Sequence, residues 1–176
     1  MMFRHYRILF FLVAITIVVK QSHARNEDID LSNADSLQTL LKKDKADTGK
    51  VSHLNLLSGE YNKIRSYDSA FYFGNMALKL AEQLNFQKGI ADAYSKIGNS
   101  YESKECLSKA LENYQASLKI YTDISDKYGI AYSYYNIGSV YWKQGNYSLA
   151  LQNLATSLKL RQEIGDKKGI ASANNI

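Results

Sequence analysis

The sequence predicts an all-α fold, a solenoid of antiparallel helix pairs, and three observations carry that expectation. Residues 89–128 laid over residues 129–168 agree at 17 of 40 positions without a gap. Repetition at such a period marks stacked structural units, each burying its apolar face against the next. Within the repeat, apolar residues recur at the 3.6-residue spacing of one helix face. The chain of 176 residues contains no proline, which suits uninterrupted helices, because proline removes a backbone donor and clashes with the preceding turn.

The N-terminus reads as an address. Arg4 and Arg7 precede an apolar run over residues 8–19, broken only by Thr16. Ser22, His23 and Ala24 then offer small residues at the two places a signal peptidase reads. The run of 12 residues is shorter than the roughly 20 needed to span a hydrocarbon core. Residues 1–24 are therefore expected to be a signal peptide and the protein to be exported, periplasmic or secreted. The alternative is anchoring by an uncleaved segment, which Lys20 keeps open.

Removal of that leader takes three cations and no acid, so Lys+Arg falls from 22 to 19 against 17 Asp+Glu, a net charge of +2. The remaining charges are interspersed, and no nucleic-acid or membrane-surface partner follows from them. Cys106 is the single cysteine, which excludes an internal disulfide framework.

Residues 25–34 are polar and acidic and are expected to form a flexible linker. Residues 35–47 carry Leu37, Leu40 and Leu41 at helical spacing and read as a capping helix over the N-terminal end of the stack. Unit 1 spans residues 48–88 in degenerate form and opens on an Asp47–Thr48 cap. Unit 2 spans 89–128 and unit 3 spans 129–168.

In unit 3 the first helix is expected over 129–143, with Ile130, Tyr134, Ile137, Gly138 and Tyr141 on one face. Gly145 ends it, since glycine tolerates the left-handed conformation at a helix C-terminus. The second helix, 147–164, carries Ala150, Leu151, Leu154 and Leu158, and Gly165 ends it. Asp126 and Asp166 stand where N-caps belong. Gly138 and Ala150 are expected where paired helices approach closely, and Gly89, Gly129 and Gly169 at turns between units.

Residues 169–176 begin a fourth unit and stop inside its first helix. Leu151, Leu154 and Leu158 would then lack a covering unit. This suggests a fragment, or an end covered by another chain, including self-association through that end.

Tyr134, Ile137, Gly138, Tyr141, Ala150, Leu154 and Ser157, and likewise Tyr94, Ile97, Gly98, Tyr101, Ala110, Tyr114 and Ser117, form a pattern that resembles the tetratricopeptide repeat. The resemblance covers about residues 36–176 and implies a right-handed superhelix. The unit has 40 residues against the usual 34, the usual tryptophan is tyrosine and the closing proline is missing; a longer second helix is the simplest account. Similar long units occur in bacterial multi-repeat proteins, often ahead of a signalling output domain.

Chemistry is absent from the motifs. The histidines are His5, His23 and His53, the last without a companion at metal-ligand spacing. No phosphate-binding glycine loop, dinucleotide fingerprint or nucleophile elbow occurs. No catalytic residue, cofactor, metal or small-molecule substrate is therefore expected.

Attention falls on the surface. First helices of such a stack line a concave groove, which points to Tyr132, Tyr135, Asn136, Ser139, Trp142 and Lys143 in unit 3 and Lys96 and Asn99 in unit 2. Large aromatics among polar groups are typical of binding hot spots. Some tetratricopeptide domains clamp a peptide carboxylate with lysines and two asparagines; Asn99 and Asn136 match the asparagine places, but Ser95 stands at the first lysine place. The leading expectation is an exported, non-enzymatic scaffold for a protein or peptide. The competing one is the sensory end of a membrane histidine kinase or nucleotide cyclase.

Overall fold

A computed structural model describes residues 33–167 and 169–170. The expected signal peptide, most of the linker and most of the fourth unit lie outside the described residues. Residues 33–41 form helix α1. Six helices follow: α2 (Thr48–Lys63), α3 (Tyr67–Gln83), α4 (Gln87–Ser103), α5 (Leu107–Asp123), α6 (Lys127–Lys143) and α7 (Tyr147–Glu163). The chain is helical again at residues 167, 169 and 170, and no strand occurs among the described residues.

The period of 40 is built from two equal halves. Helices α3 to α7 each have 17 residues, and three-residue turns join them. The residues beyond the usual unit length are therefore shared by both helices, not placed in the second alone. One turn geometry recurs at every junction. The residue after the C-cap is left-handed: Arg65, Asn85, Glu105 and Ser125 at φ between 52° and 60°, then Gly145 and Gly165 at 76° and 70°.

The amides of Ser66, Phe86, Cys106, Asp126, Asn146 and Asp166 each close a bond of 2.8–2.9 Å to a carbonyl five residues back. This is the Schellman closure, which satisfies carbonyls left open at a helix end. Only the last two turns use glycine, so the others carry a left-handed side-chain cost of about 1 kcal/mol. Replacing Glu105 or Ser125 by glycine should raise stability in urea by about 0.5–1 kcal/mol, less than the full relief because glycine loses more entropy on folding. Unchanged or lower midpoints would contradict this account of the turns.

The predicted caps form. Asp47 accepts from the Lys50 amide, Asp126 from the Gly129 amide and Asp166 from the Gly169 amide. The linker is shorter than expected, because residues 33 and 34 are already helical and Ala34 is fully buried. Its burial anchors α1 on the first pair.

Helix α3 packs between α2 and α4, and α5 between α4 and α6; α2 also packs directly on α4. Helices α4 and α6 do not pack on one another in this way, and neither do α3 and α5; past α4 the first helices meet through longer side chains. Leu54, Ala77 and Ala93 centre one core, and Ala110, Tyr114, Ile137 and Val140 the next. Leu151 is 71% exposed, although its counterpart Leu111, one repeat earlier, packs against that second core.

Small and large residues trade places between units. A Cβ on Gly98 would stand 2.7 Å from the Tyr114 ring, and one on Gly138 would stand 2.8 Å from Leu154. In unit 1 the same two positions hold Ser58 and Gly74, so the bulk moves out of the second helix. Ser58 Oγ donates to the Ala70 carbonyl at 2.8 Å.

Gly89, Gly129 and Gly169 do not stand in turns, as the sequence suggested. They lie in the first turn of their helices, where a planar group covers the bare backbone: Phe86 over Gly89, the Tyr121 ring over Gly129 and the Arg161 guanidinium over Gly169. A Cβ at any of the three would collide with that group. These glycines thus serve contact between units more than backbone freedom.

Candidate functional site

The inner row of helices is joined differently along its length. Between α2 and α4, Asn55 Nδ2 donates to the Gly89 carbonyl at 3.3 Å and Asn62 Nδ2 to Ser103 Oγ at 3.2 Å. Between α4 and α6 the links are longer polar side chains. Asn99 Nδ2 donates to Tyr132 Oη at 3.4 Å, Ser139 Oγ donates to Glu102 Oε1 at 2.9 Å, and Lys143 Nζ pairs with the same oxygen at 2.7 Å. At the other end Lys88 pairs with Asp126, and the Tyr121 hydroxyl donates to Asp92.

Between these two sets of links lies a cleft of about 290 Å³, lined by Lys88, Asp92, Ser95, Lys96, Tyr121, Tyr128, Gly129 and Tyr132. Tyr128 is 59% exposed at its mouth. Ser95 at its floor is held by Ser117 Oγ at 2.9 Å, and Ser117 also donates to the Ala91 carbonyl. The floor is therefore part of the α4–α5 contact and does not yield easily.

Two tyrosine hydroxyls beside these links stay neutral. Burial, with Glu102 next to it, pushes the Tyr114 hydroxyl upward, and burial with Asp92 does the same for Tyr121. Both remain protonated donors at any ordinary pH. Tyr114 Oη stands 2.7 Å from both Glu102 Oε2 and Asn99 Oδ1; its single proton can serve one of them, and the carboxylate is the stronger acceptor.

Asp126 titrates lower than an ordinary carboxyl. Burial acts upward, but the hydrogen bonds from Lys88 and the Gly129 amide, with the Lys88 charge, outweigh it. A lowered folded pKa contributes stability above the unfolded value near 3.9, and this is lost as pH falls through the folded value. Asp126→Asn keeps a capping side chain and removes the charge. It should therefore lower stability near pH 7, with the difference from wild type vanishing toward pH 2–3. A difference that grows on acidification would overturn this reading.

The expected site residues divide. Lys96, Asn99, Tyr132, Ser139 and Lys143 come together along α4 and α6. Asn136 is buried at 6% exposure, with no hydrogen-bond partner for Nδ2 among the described protein atoms. Tyr135 leans under Arg161, whose guanidinium carbon is 5.6 Å from the ring centroid. Trp142, 49% exposed, sits edge-on to Tyr147 at the α6–α7 turn. Tyr135 and Trp142 are thus engaged in packing away from the cleft.

Sequence reasoning missed Lys88, Tyr121 and Tyr128 as cleft walls. Tyr121 stands where unit 1 has Ala81 and unit 3 has Arg161, so the repeat pattern hides it. His53 lies 2.7 Å from Asp44 and ties the α1–α2 connection to α2. Among the described residues no group of three or more His, Cys, Asp or Glu is arranged to hold a metal ion, and no helix is long and apolar enough to cross a membrane.

Known proteins bear on this geometry in three ways. Residues 89–163 match the tetratricopeptide repeat family model. No curated protein matches the chain. Among solved structures, a Rap protein complexed with competence and sporulation factor is similar at TM-score 0.71 and 18% identity, over 82% of this chain and 40% of that one. Aspartyl phosphate phosphatase F from Bacillus subtilis is similar at TM-score 0.69 and 14% identity, over 80% and 38%. The tetratricopeptide domain of Arabidopsis FLU gives TM-score 0.59 and 20% identity, over 65% and 95%. The chain spans about two fifths of the length of the Rap protein and of the phosphatase. At these identities the likeness is one of fold, an all-α solenoid of the tetratricopeptide type.

Proposed function

We propose that this solenoid is an exported, non-enzymatic scaffold that binds a peptide or protein segment along α4 and α6. The observation that carries the reading is the cleft beside Tyr132. It combines tyrosine faces, a lysine that has no ion pair among the described residues and a floor fixed by core hydrogen bonds, on the side of the first helices. An aromatic wall gives contact area at low entropic cost, and a preorganised floor lowers the cost of binding. The Rap structure, which holds competence and sporulation factor, is a precedent for a bound factor on this fold.

Export rests on residues 1–24 and is testable by itself. N-terminal sequencing of the chain recovered outside the cytoplasm should begin at Arg25. An intact Met1 would favour the anchored alternative, and recovery only from the cytoplasm would remove export from the account.

Partner binding is tested by placing a photo-crosslinking amino acid at Tyr132 or Tyr128, or at Tyr72 on the outer helix α3, in cells that make the protein. Adducts of discrete size are expected from the two cleft positions and not from Tyr72. Adducts from Tyr72 alone, or from none of the three, would reject the groove.

A further inference from the structure

We infer that the cleft between α4, α5 and α6 is a subsite for an acidic side chain of the partner, with Lys96 as its counter-ion. This deepens the scaffold reading and rests on it. Lysines near the groove are otherwise committed. Lys63 pairs with Glu60, Lys88 with Asp126 and Lys143 with Glu102. Lys96 is half-buried and lines the cleft, and among the described residues its ammonium has no carboxylate within ion-pairing distance.

The position of that ammonium is defined. A Cβ on Gly59 of α2 would meet Lys96 Nζ at 3.7 Å and Cδ and Cε at 3.9 Å, so stem and ammonium both lie against the bare backbone of the neighbouring helix. From there the flexible stem can turn the head to an acceptor in the cleft that Lys96 lines.

The acids around the cleft are already engaged, Asp92 by the Tyr121 hydroxyl and Asp126 by Lys88 and the Gly129 amide. The charged group left uncommitted along the cleft is therefore a donor, Lys96 Nζ. A ligand that fits supplies acceptors. A carboxylate does so with complementary charge, and its methylenes can lie on the Tyr128 and Tyr132 rings. With Tyr121 also in its lining, the cleft suits an Asp or Glu side chain within a segment.

The test is selection of a random peptide display library, with free and amidated C-termini, on the immobilised full chain, on Lys96→Gln and on Lys79→Gln, an exposed lysine of α3. The expected result is enrichment of one internal Asp or Glu on wild type and on Lys79→Gln, and its loss on Lys96→Gln. The affinity of a selected peptide should fall by about tenfold or more on Lys96→Gln or on Asp→Asn in the peptide, the size of one charged hydrogen bond, with thermal midpoints unchanged. Enriched peptides indifferent to acid, or equally acidic on Lys96→Gln, overturn the subsite while leaving the scaffold standing. Dependence on a free C-terminal carboxylate overturns it in favour of a clamp. Enrichment of nothing overturns both.

Discussion

Gly129→Ala should destabilise the protein by about 2 kcal/mol, the opposite sign to that usual for a glycine inside a helix. On propensity alone alanine gains about 1 kcal/mol in a helix interior. At Gly129, however, the added methyl collides with the Tyr121 ring close to its stem, and overpacking of this kind costs roughly 1–3 kcal/mol. The ring has little room to retreat. Tyr121 is 3% exposed, and its hydroxyl is held by Asp92. Any shift therefore also disturbs the junction of units 2 and 3.

Gly59→Ala is the matched control. Its Cβ would make only ordinary contact, 3.7 Å or more, with the flexible Lys96 side chain, so it should be neutral or stabilising by up to about 1 kcal/mol. Tyr121→Ala alone should cost about 3–5 kcal/mol, as for other large-to-small core changes. Added to Gly129→Ala it should cost clearly less than the sum, because residues in contact couple. Urea denaturation of the four proteins closes the cycle, and additive costs would mean that the ring and the glycine do not oppose each other.

The second large effect belongs to Tyr114, the largest fully buried side chain. Tyr114→Ala should cost about 3–5 kcal/mol through transfer and cavity terms. Tyr114→Phe isolates the hydroxyl and should cost about 1–2 kcal/mol, the loss of a hydrogen bond to a charged group. The phenylalanine variant should also reach the groove, since Glu102 joins Tyr114 on one oxygen to Ser139 and Lys143 on the other. Calorimetric unfolding measures the first effect, and peptide affinity at fixed stability measures the second. A Tyr114→Phe variant as stable as wild type would show that Glu102 finds another donor.

Both predictions bear on how far the molecule was legible in its sequence. The 40-residue period, the helix pairs and the caps at Asp47, Asp126 and Asp166 follow from spacing and from local hydrogen-bonding rules, which act within a few residues. The contact of Gly138 with Leu154 could also be anticipated, since a small residue facing a large one repeats in phase. The coverage of Gly129 could not. It depends on a partner eight residues earlier in the preceding helix, Tyr121 here and Arg161 one repeat later; at Gly89 that place holds Ala81, and the N-cap residue Phe86 covers the glycine instead.

The same limit applies to the site. That Lys96, Asn99, Tyr132, Ser139 and Lys143 lie together was legible because they share one helical face with period 3.6 and one repeat phase. Tyr135 and Trp142 lie at the edge of that arc, and Arg161 and Tyr147 decide their fate. Asn136 reads as outward on a helical wheel and is buried. Lys88, Tyr121 and Tyr128 come from helix ends and from α5. Only the packing of three helices brings them to one cleft.

The claim on which all this turns is that the inner helices recognise a polypeptide segment. Amide chemical shifts of the protein, recorded while a display-selected peptide is titrated in, test it most directly. The prediction is a saturable set of changes confined to α4, α6 and the end of α5, centred on Ser95, Lys96, Gly129 and Tyr132. Changes centred on α3 and α7, or spread evenly along the chain, would contradict it.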